Sequence, residues 1–314
     1  MNLELLDAYS VNTNMHRAPL ISGGYCTPAE YLCEYAARVC YASEDKTGSD
    51  PSFLPKKIVQ TGHHDVIEHF RFIMRVKARM EVDLFKILNV PGVYTFEECV
   101  DTFTVSFSLR HILIWGKMLG ENHKWTQRMK EITYSYAPHL FNVLAEPVTN
   151  NVLINPPMTD NVTLIGHQPS IGEGDTGAAT FHVTSVSRVF SHQIVRHRLF
   201  SFSQASLRYI NGTGFHKIYP TSIIDSDKAG LLMAQYDMSE EAYKEMVRDD
   251  IRKEDARFVL PLGTVTRMVI TMPYAGLRHF LSLRLQKAAQ WEIRGFAEDV
   301  LQLVKEVDPY FNYA

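Results

Sequence analysis

Residues 193–209 read QIVRHRLFSFSQASLRY and set arginines, a histidine, serines and aromatic rings against one another. Arg196, His197 and Arg198 are consecutive, and Arg208 lies two residues beyond Ser206. A guanidinium offers a planar fork of donors suited to phosphate, and it also stacks on flat rings. Gln193 and Gln204 can each present a paired donor and acceptor to the edge of a base. Ser201, Ser203 and Ser206 add short donors beyond. On a helix, Gln193, Arg196 and His197 fall at i, i+3 and i+4 and project from one face. The chemistry these types suit is capture of a ligand that is anionic at one end and aromatic at the other. The competing reading is a solvated basic helix end neutralised by carboxylates. Ile194, Leu199, Phe200 and Phe202 argue against it, because they tie the cations to a packed environment.

Two further stretches carry similar types. GHHDVIEHF brings His63, His64, Glu68 and His69 together. Its spacing matches neither H-E-x-x-H nor the inverted form, so zinc finds no standard frame there. His63, beside Gly62, can instead offer a flat ring to a cofactor, with Glu68 as an acceptor. GLRHFLSLRLQKAAQWEIR places Arg278, His279 and Arg284 on a helix whose other face is apolar, and Arg257 sits among apolar neighbours in ARFVLPL. Arginines from three separated segments are what an assembled phosphate site requires. The chain has no Walker loop, no G-x-G-x-x-G behind a strand and no G-x-S-x-G elbow. Ser206 with His197 therefore lacks the frame of a serine hydrolase.

These residues need elements to position them. Thr27-Pro28 opens a helix running to about Ala42. A short helix over LPKKIVQTG ends at Gly62, and FRFIMRVKA alternates as a strand with one buried face. TFTVSFSL reads as a strand, LRHILIWGKMLG and QRMKEITYSYAPHLFNVLA as helices, and GHQPSIGEGDTGAA as a mobile loop. FHVTSV is a strand followed by a helix over SRVFSHQIVRHR with Ser187 as its N-cap. NGTGF is a turn. A long helix starts at Ser239 in MSEEAYKEMVRDDIRKEDARFVL, and TVTRMVITM is a strand before two closing helices. The mixture predicts an α+β fold.

The totals bound the function. Lys plus Arg is 32 and Asp plus Glu 35, a formal net charge of -3, which excludes a general nucleic-acid coating protein and makes any anion site local. No apolar run reaches the roughly 20 residues of a membrane span. The opening MNLELLDAYS is too acidic for a secretory signal. The four cysteines form no C-x-x-C pair; Cys33 and Cys40, seven apart, fall on one helix face as core thiols. These features lead us to expect a cytoplasmic chain without membrane or nucleic-acid partners.

The motif itself resembles that of the flavin-dependent thymidylate synthases, the ThyX family. Arg196-His197-Arg198, the seven residues LFSFSQA and Ser206 fit the family's R-H-R, seven, S signature. SRVFSHQ before it, SLRY after it, the GHHDVIEHF block, ARFVLPL, the RHFLSLRLQKAAQWEIR ending and the AARVCYAS helix are similar to the family's other blocks in the same order. The resemblance covers about residues 25–75 and 181–310. It implies a ThyX-like fold with a mixed or antiparallel sheet, split as a catalytic domain over 1–75 and 181–314, with a mostly helical insertion over 76–180. It further implies a homotetramer with active sites between subunits, FAD as cofactor, and NADPH and methylenetetrahydrofolate as co-substrates. The reaction is C5-methylation of dUMP. Carried over by position, Gln193, Gln204, Ser206, Arg208, Arg257 and Arg284 hold the nucleotide. His63, Glu68, Arg196, His197, Arg198, Ser203 and His279 line the flavin and folate side. Catalysis falls to Arg196, His197, Ser206, Arg208 and Arg284, with no metal. The chain departs from the family at Pro273 and Ala275, where an asparagine and an arginine are common, and at Asp65, where a small hydroxyl is common. Alternatives are the same chemistry on UMP, giving 5-methyl-UMP, and a non-catalytic nucleotide-binding module.

Overall fold

The computed structural model describes residues 2–11, 26–141, 152, 153, 155–171, 174–210 and 216–313. Nine strands supply the frame: β1 (Asn2–Ala8), β2 (Ser10–Val11), β3 (Arg71–Lys77), β4 (Tyr94–Cys99), β5 (Thr102–Ser108), β6 (Val162–Gln168), β7 (Ala178–Ser187), β8 (Ser201–Gln204) and β9 (Val265–Pro273). They form two antiparallel sheets, in the orders β1-β3-β5-β4 and β2-β6-β7-β9-β8. The helices are α1 (Pro28–Val39), α2 (Val82–Leu88), α3 (Leu109–Leu119), α4 (Lys124–Thr133), α5 (Pro138–Phe141), α6 (Arg188–Ile194), α7 (Thr221–Ile224), α8 (Ala229–Arg248), α9 (Lys253–Ala256), α10 (Tyr274–Arg284) and α11 (Trp291–Val307). The fold is α+β, as the sequence pattern predicts. Among the described residues no helix is long and apolar enough to cross a membrane.

Helix α1 begins where Thr27-Pro28 predicts. The Thr27 hydroxyl accepts from Glu30 N at 3.2 Å and the Glu30 carboxylate accepts from Thr27 N at 3.3 Å, a closed capping box. Every residue of α1 is buried, so its charges must be matched internally. Glu34 pairs with Arg38, which lies over the Phe53 ring, and Glu30 accepts from the His139 and Leu140 amides and from His139 Nδ1. Cys33 is fully buried and Cys40 is the helix C-cap, where burial pushes its thiol up to about 11.

One apolar core gathers α1, β3, β5 and α3; a second gathers β7, β9, α6, α10 and α11. The seam between the sheets is polar. Tyr9 OH meets Thr180 Oγ1 at 2.9 Å, Thr180 meets Thr271 Oγ1 at 2.6 Å, Thr271 meets His69 Nδ1 at 2.8 Å, and His69 Nε2 meets Ser203 Oγ at 3.0 Å. Each member is buried. Burial pulls the His69 pKa down to about 3, because nothing charged compensates a proton there. Gly166 admits the Tyr9 ring: a Cβ there would stand 2.5 Å from the ring.

Several expectations from sequence are corrected. The second short helix is a single π-helical turn, Leu54–Val59, and Gly62 ends the segment at φ 82°. β3 is buried on both faces, because the Gly92–Tyr94 segment covers Arg71. The helix after β7 stops at Ile194, so Arg196 and His197 sit in the turn beyond, not on a helical face with Gln193. Ser239 does not start a helix. It is buried inside α8 and its hydroxyl donates to Gln235 O, while the expected single helix breaks at Asp250, φ 60°. Gly166 to Gln168 belong to β6, and in the supposed mobile loop Arg278 binds Asp175 at 2.8 Å and Gly177 N donates to Ser170 Oγ. NGTGF lies outside the described residues. Residues 76–180 contribute α2 to α5 together with β4, β5 and β6, and so build into both sheets.

The buried neutral histidines set the acid response. His69 at about 3, and His111 and His167 each at about 4, refuse protons that the unfolded chain accepts at about 6.5. Their contribution is full above pH 6.5 and is lost as pH falls through the folded values. Unfolding free energy should therefore decline below pH 6.5, by about 1.4 kcal/mol per pH unit for each such group. His69→Ala should cost about 2–4 kcal/mol at neutral pH, since the Ser203 and Thr271 hydroxyls lose their partner. Denaturant titrations at pH 5 and pH 7.5 check both.

Candidate functional site

The site begins at Glu68-His69, consecutive residues facing opposite ways. His69 turns into the seam and holds Ser203; Glu68 turns outward, and its Oε2 accepts from Ser201 Oγ at 2.7 Å. The two serines, two residues apart, project from one side of β8, so the dipeptide on the facing element meets both. Arg110, at the start of α3, donates to the other Glu68 oxygen, and Tyr94 OH donates to Leu199 O at 3.2 Å. His63 is exposed, one residue before the 3-10 turn His64–Glu68.

Beyond β8 the cations separate into two groups. In the first, Arg284 Nε donates to His197 Nε2 at 3.1 Å, and the His197 ring lies 5.7 Å from Phe200, 5.0 Å from Phe280 and 6.4 Å from His279. Burial, then Arg284, then His279 pull the His197 pKa down to about 4, so the ring is a neutral acceptor at physiological pH. Arg196 and Arg198 are exposed beside it. Together they line a cavity of about 330 Å³ that contains no carboxylate. Gly276 lets Phe200 close onto α10: a Cβ there would approach the ring to 3.1 Å.

The second group lies past the far end of β8. Ser206 N is held by Cys40 O at 3.1 Å; Arg208 Nε donates to Glu254 at 3.1 Å, and Arg257 Nε donates to Glu254 O at 3.0 Å. Gln204 Nε2 reaches Thr266 Oγ1 at 3.2 Å. Beside them opens a cavity of about 420 Å³ lined by Arg188, Arg267 and His216. Arg188 donates to Ala205 O, its Nε has no partner among the described residues, and burial together with Arg257 lowers its pKa. Among the described residues of one protomer, the two groups share neither a hydrogen bond nor a cavity lining.

The segment that holds both groups has relatives. The family described as Thymidylate synthase complementing protein matches over residues 168–310. Over this segment the chain is similar to that family. Flavin-dependent thymidylate synthases of Geobacter sulfurreducens (39% identical over 153 residues, 48% of this chain and 65% of the relative), Sulfurisphaera tokodaii (41% over 137 residues, 43% and 53%) and Pyrococcus abyssi (38% over 144 residues, 43% and 59%) are similar to it. The chain spans about half to two thirds of the length of these flavin-dependent thymidylate synthases.

A ligand that carries a diphosphate needs unmatched cations beside planar surfaces. The acid-free cavity of Arg196, His197, Arg198, His279 and Arg284 with Phe200 fits that need. Pro273 is buried at the junction of β9 and α10, its side chain without a polar atom for a ligand, and Ala275 is half-buried. Ser203 is 2% exposed and engaged by His69, so a hydroxyl directed at a ligand is available from Ser201 instead. Gln193 is half-buried in the last turn of α6. Arg278 is committed to Asp175 and lies over Phe311. His63, His64 and His69 do not converge: His64 Nε2 binds Val59 O and both His69 nitrogens are engaged in the seam. Among the described residues no group of three or more metal-ligating side chains forms.

Sequence reading passes over Arg110, Arg188 and Arg267. The first lies in a segment without the family's motifs, and the last two look like ordinary strand-end charges. Arg284→Gln removes the donor to His197 and a neighbouring positive charge. It should raise the His197 pKa from about 4 toward the ordinary 6.5, read as a ring-proton NMR titration.

Proposed function

We propose that this protein methylates C5 of a uridine nucleotide, dUMP to dTMP, with FAD as cofactor, methylenetetrahydrofolate as carbon donor and NADPH as reductant. The observation that carries the reading is the acid-free cluster of Arg196, His197, Arg198 and Arg284 beside Phe200, within a segment of the thymidylate synthase complementing protein family. Bound flavin would supply the hydride that turns the transferred methylene into a methyl.

The chain's own groups orient and polarise. Ser206, Arg208 and Arg257 hold the nucleotide phosphate, with Gln193 and Gln204 at the base. Arg284 and Arg196 stabilise negative charge on the uracil carbonyls as C5 becomes nucleophilic. His197 stays neutral beside them and adds no competing charge. His63, Glu68, Arg198 and His279 line the flavin and folate side. Because the two groups of cations stand apart in one protomer, each supplies half of a site that a second copy completes, in a tetramer. The catalytic domain comprises 1–75 and 181–314, with 76–180 an insertion whose strands build into both of its sheets.

The same site accepts a second substrate, UMP, if the sugar pocket admits a 2′-hydroxyl. Incubating the protein with FAD, NADPH, methylenetetrahydrofolate and equal dUMP and UMP, with mass analysis of the nucleotides, should show a methyl gain on dUMP. A gain on UMP alone reassigns the substrate. No gain on either by folded, flavin-loaded protein leaves a nucleotide-binding module. Arg208→Ala should weaken dUMP binding by about tenfold or more, since a charge-assisted donor to phosphate is lost; a calorimetric titration reads it.

A further inference from the structure

Two contacts reach the Arg196–Arg198 region from outside residues 168–310, the part of the chain that the family matches. Tyr94 OH, from β4, donates to Leu199 O at 3.2 Å. Arg110, from α3, donates to Glu68, whose other oxygen accepts from Ser201 Oγ at 2.7 Å. Phe200 stands between Leu199 and Ser201, so the chain is gripped on each side of one aromatic residue.

Residues 195–200 belong to no helix or strand, and no ladder of hydrogen bonds fixes them. Their own backbone bonds are local: His197 N donates to Ile194 O and Phe200 N to His197 O, each at 3.0 Å. On one side the turn packs on α10, where Phe280 lies 5.7 Å from Phe200 and Gly276 leaves room for the ring. Tyr94 and the Arg110–Glu68 pair close the other side. Arg198, Leu199 and Phe200 also line the acid-free cavity, so this clamp sets the shape of its wall.

The clamp is itself anchored. The Arg71 guanidinium lies over the Tyr94 ring, 5.2 Å from its centre, and donates to Gly92 O at 2.9 Å. Ser108 N donates to His111 Nδ1 at 2.9 Å, so the Nε2 hydrogen is the one given to Pro91 O at 3.1 Å. Burial raises the Tyr94 pKa, and the phenol keeps the proton it donates. The Arg110–Glu68 pair is partly open to solvent, and such pairs add little to stability. Its consequence is geometric: it holds the Glu68 carboxylate against Ser201.

We propose that Tyr94 and Arg110 are positioning residues for the flavin: they fix the chain on both sides of Phe200 and so set how Phe200 and Arg198 meet the cofactor. Both act through other residues. Resting on the reading under Proposed function, this makes 76–180 part of the frame of the site.

The test is a titration of FAD into full-length protein, read by flavin fluorescence, beside a calorimetric titration of dUMP into the same protein free of flavin. Tyr94→Phe removes one hydroxyl and no charge, and should weaken FAD binding about fivefold; Arg110→Gln should weaken it about tenfold. Arg110→Lys should recover most of that loss, since an ammonium still reaches Glu68. The affinity for dUMP should stay within about twofold, because the Ser206 and Arg208 group lies past the far end of β8. Unchanged FAD affinity in both Tyr94→Phe and Arg110→Gln overturns the proposal. So does equal weakening of FAD and dUMP, the mark of a merely structural role. Tyr94→Phe carries the test if Arg110→Gln fails to fold. Selective loss of FAD in a protein that methylates no uridine nucleotide keeps the clamp and removes the catalytic reading. Methylation by protein whose FAD affinity ignores both substitutions removes the clamp alone. Folded, unmodified protein that takes up no FAD overturns both.

Discussion

A single neutral imidazole ties the turn that leads into β3 to two neighbouring strands of the second sheet. His69 joins Ser203 on β8 to Thr271 on β9, and through Thr180 to Tyr9. With one ring nitrogen donating and the other accepting, no hydroxyl in the seam is left unpaired, and a proton on the ring would be a bare charge among neutral groups. The seam acts on the site through position. With His69 locked inward, Glu68 must face outward, and with Ser203 locked to His69, Ser201 must face Glu68. The Glu68 carboxylate is placed by a buried contact one residue away.

Around that carboxylate the charge distribution is uneven. The chain as a whole is slightly acidic, yet His197, Arg196, Arg198 and Arg284 line a cavity with no acid in it. Elsewhere cations are matched: Arg38 by Glu34, Arg267 by Glu44, Arg278 by Asp175. Arg284 is set against His197 instead. Burial, then the guanidinium, keeps the imidazole uncharged, and the imidazole orients the guanidinium without neutralising it.

Much of this arrangement could be read from sequence, for identifiable reasons. Thr27-Pro28 and Ser187 declare helix starts through local hydrogen bonds, and β9 and α11 through period. The R-H-R motif exposed the cation cluster because its residue types have few other uses in such density. The rest depended on long-range contacts. Nothing local shows that α6 ends before Arg196, or that Ser239 bonds back to Gln235 within a longer helix. Ser203 and Ser201 look alike in sequence; only the facing Glu68-His69 makes one buried and the other available. Arg110 and Tyr94 lie in a stretch without motif, and their reach to Glu68 and Leu199 appears only once β5 lies beside β3.

The central claim is that one chain carries two half-sites that only a second copy joins: His197 with Arg284 in one, Ser206 with Arg208 in the other. Co-assembling two inactive variants, Arg208→Ala and Arg284→Ala, by mixed refolding or co-expression tests it directly. If the halves meet across copies, the mixed assembly contains some sites with both arginines intact, and nucleotide methylation returns to a fraction of the unmodified rate. If both arginines serve one site within a single chain, every site in the mixture lacks one of them. Activity absent from a verified mixed assembly would contradict the account.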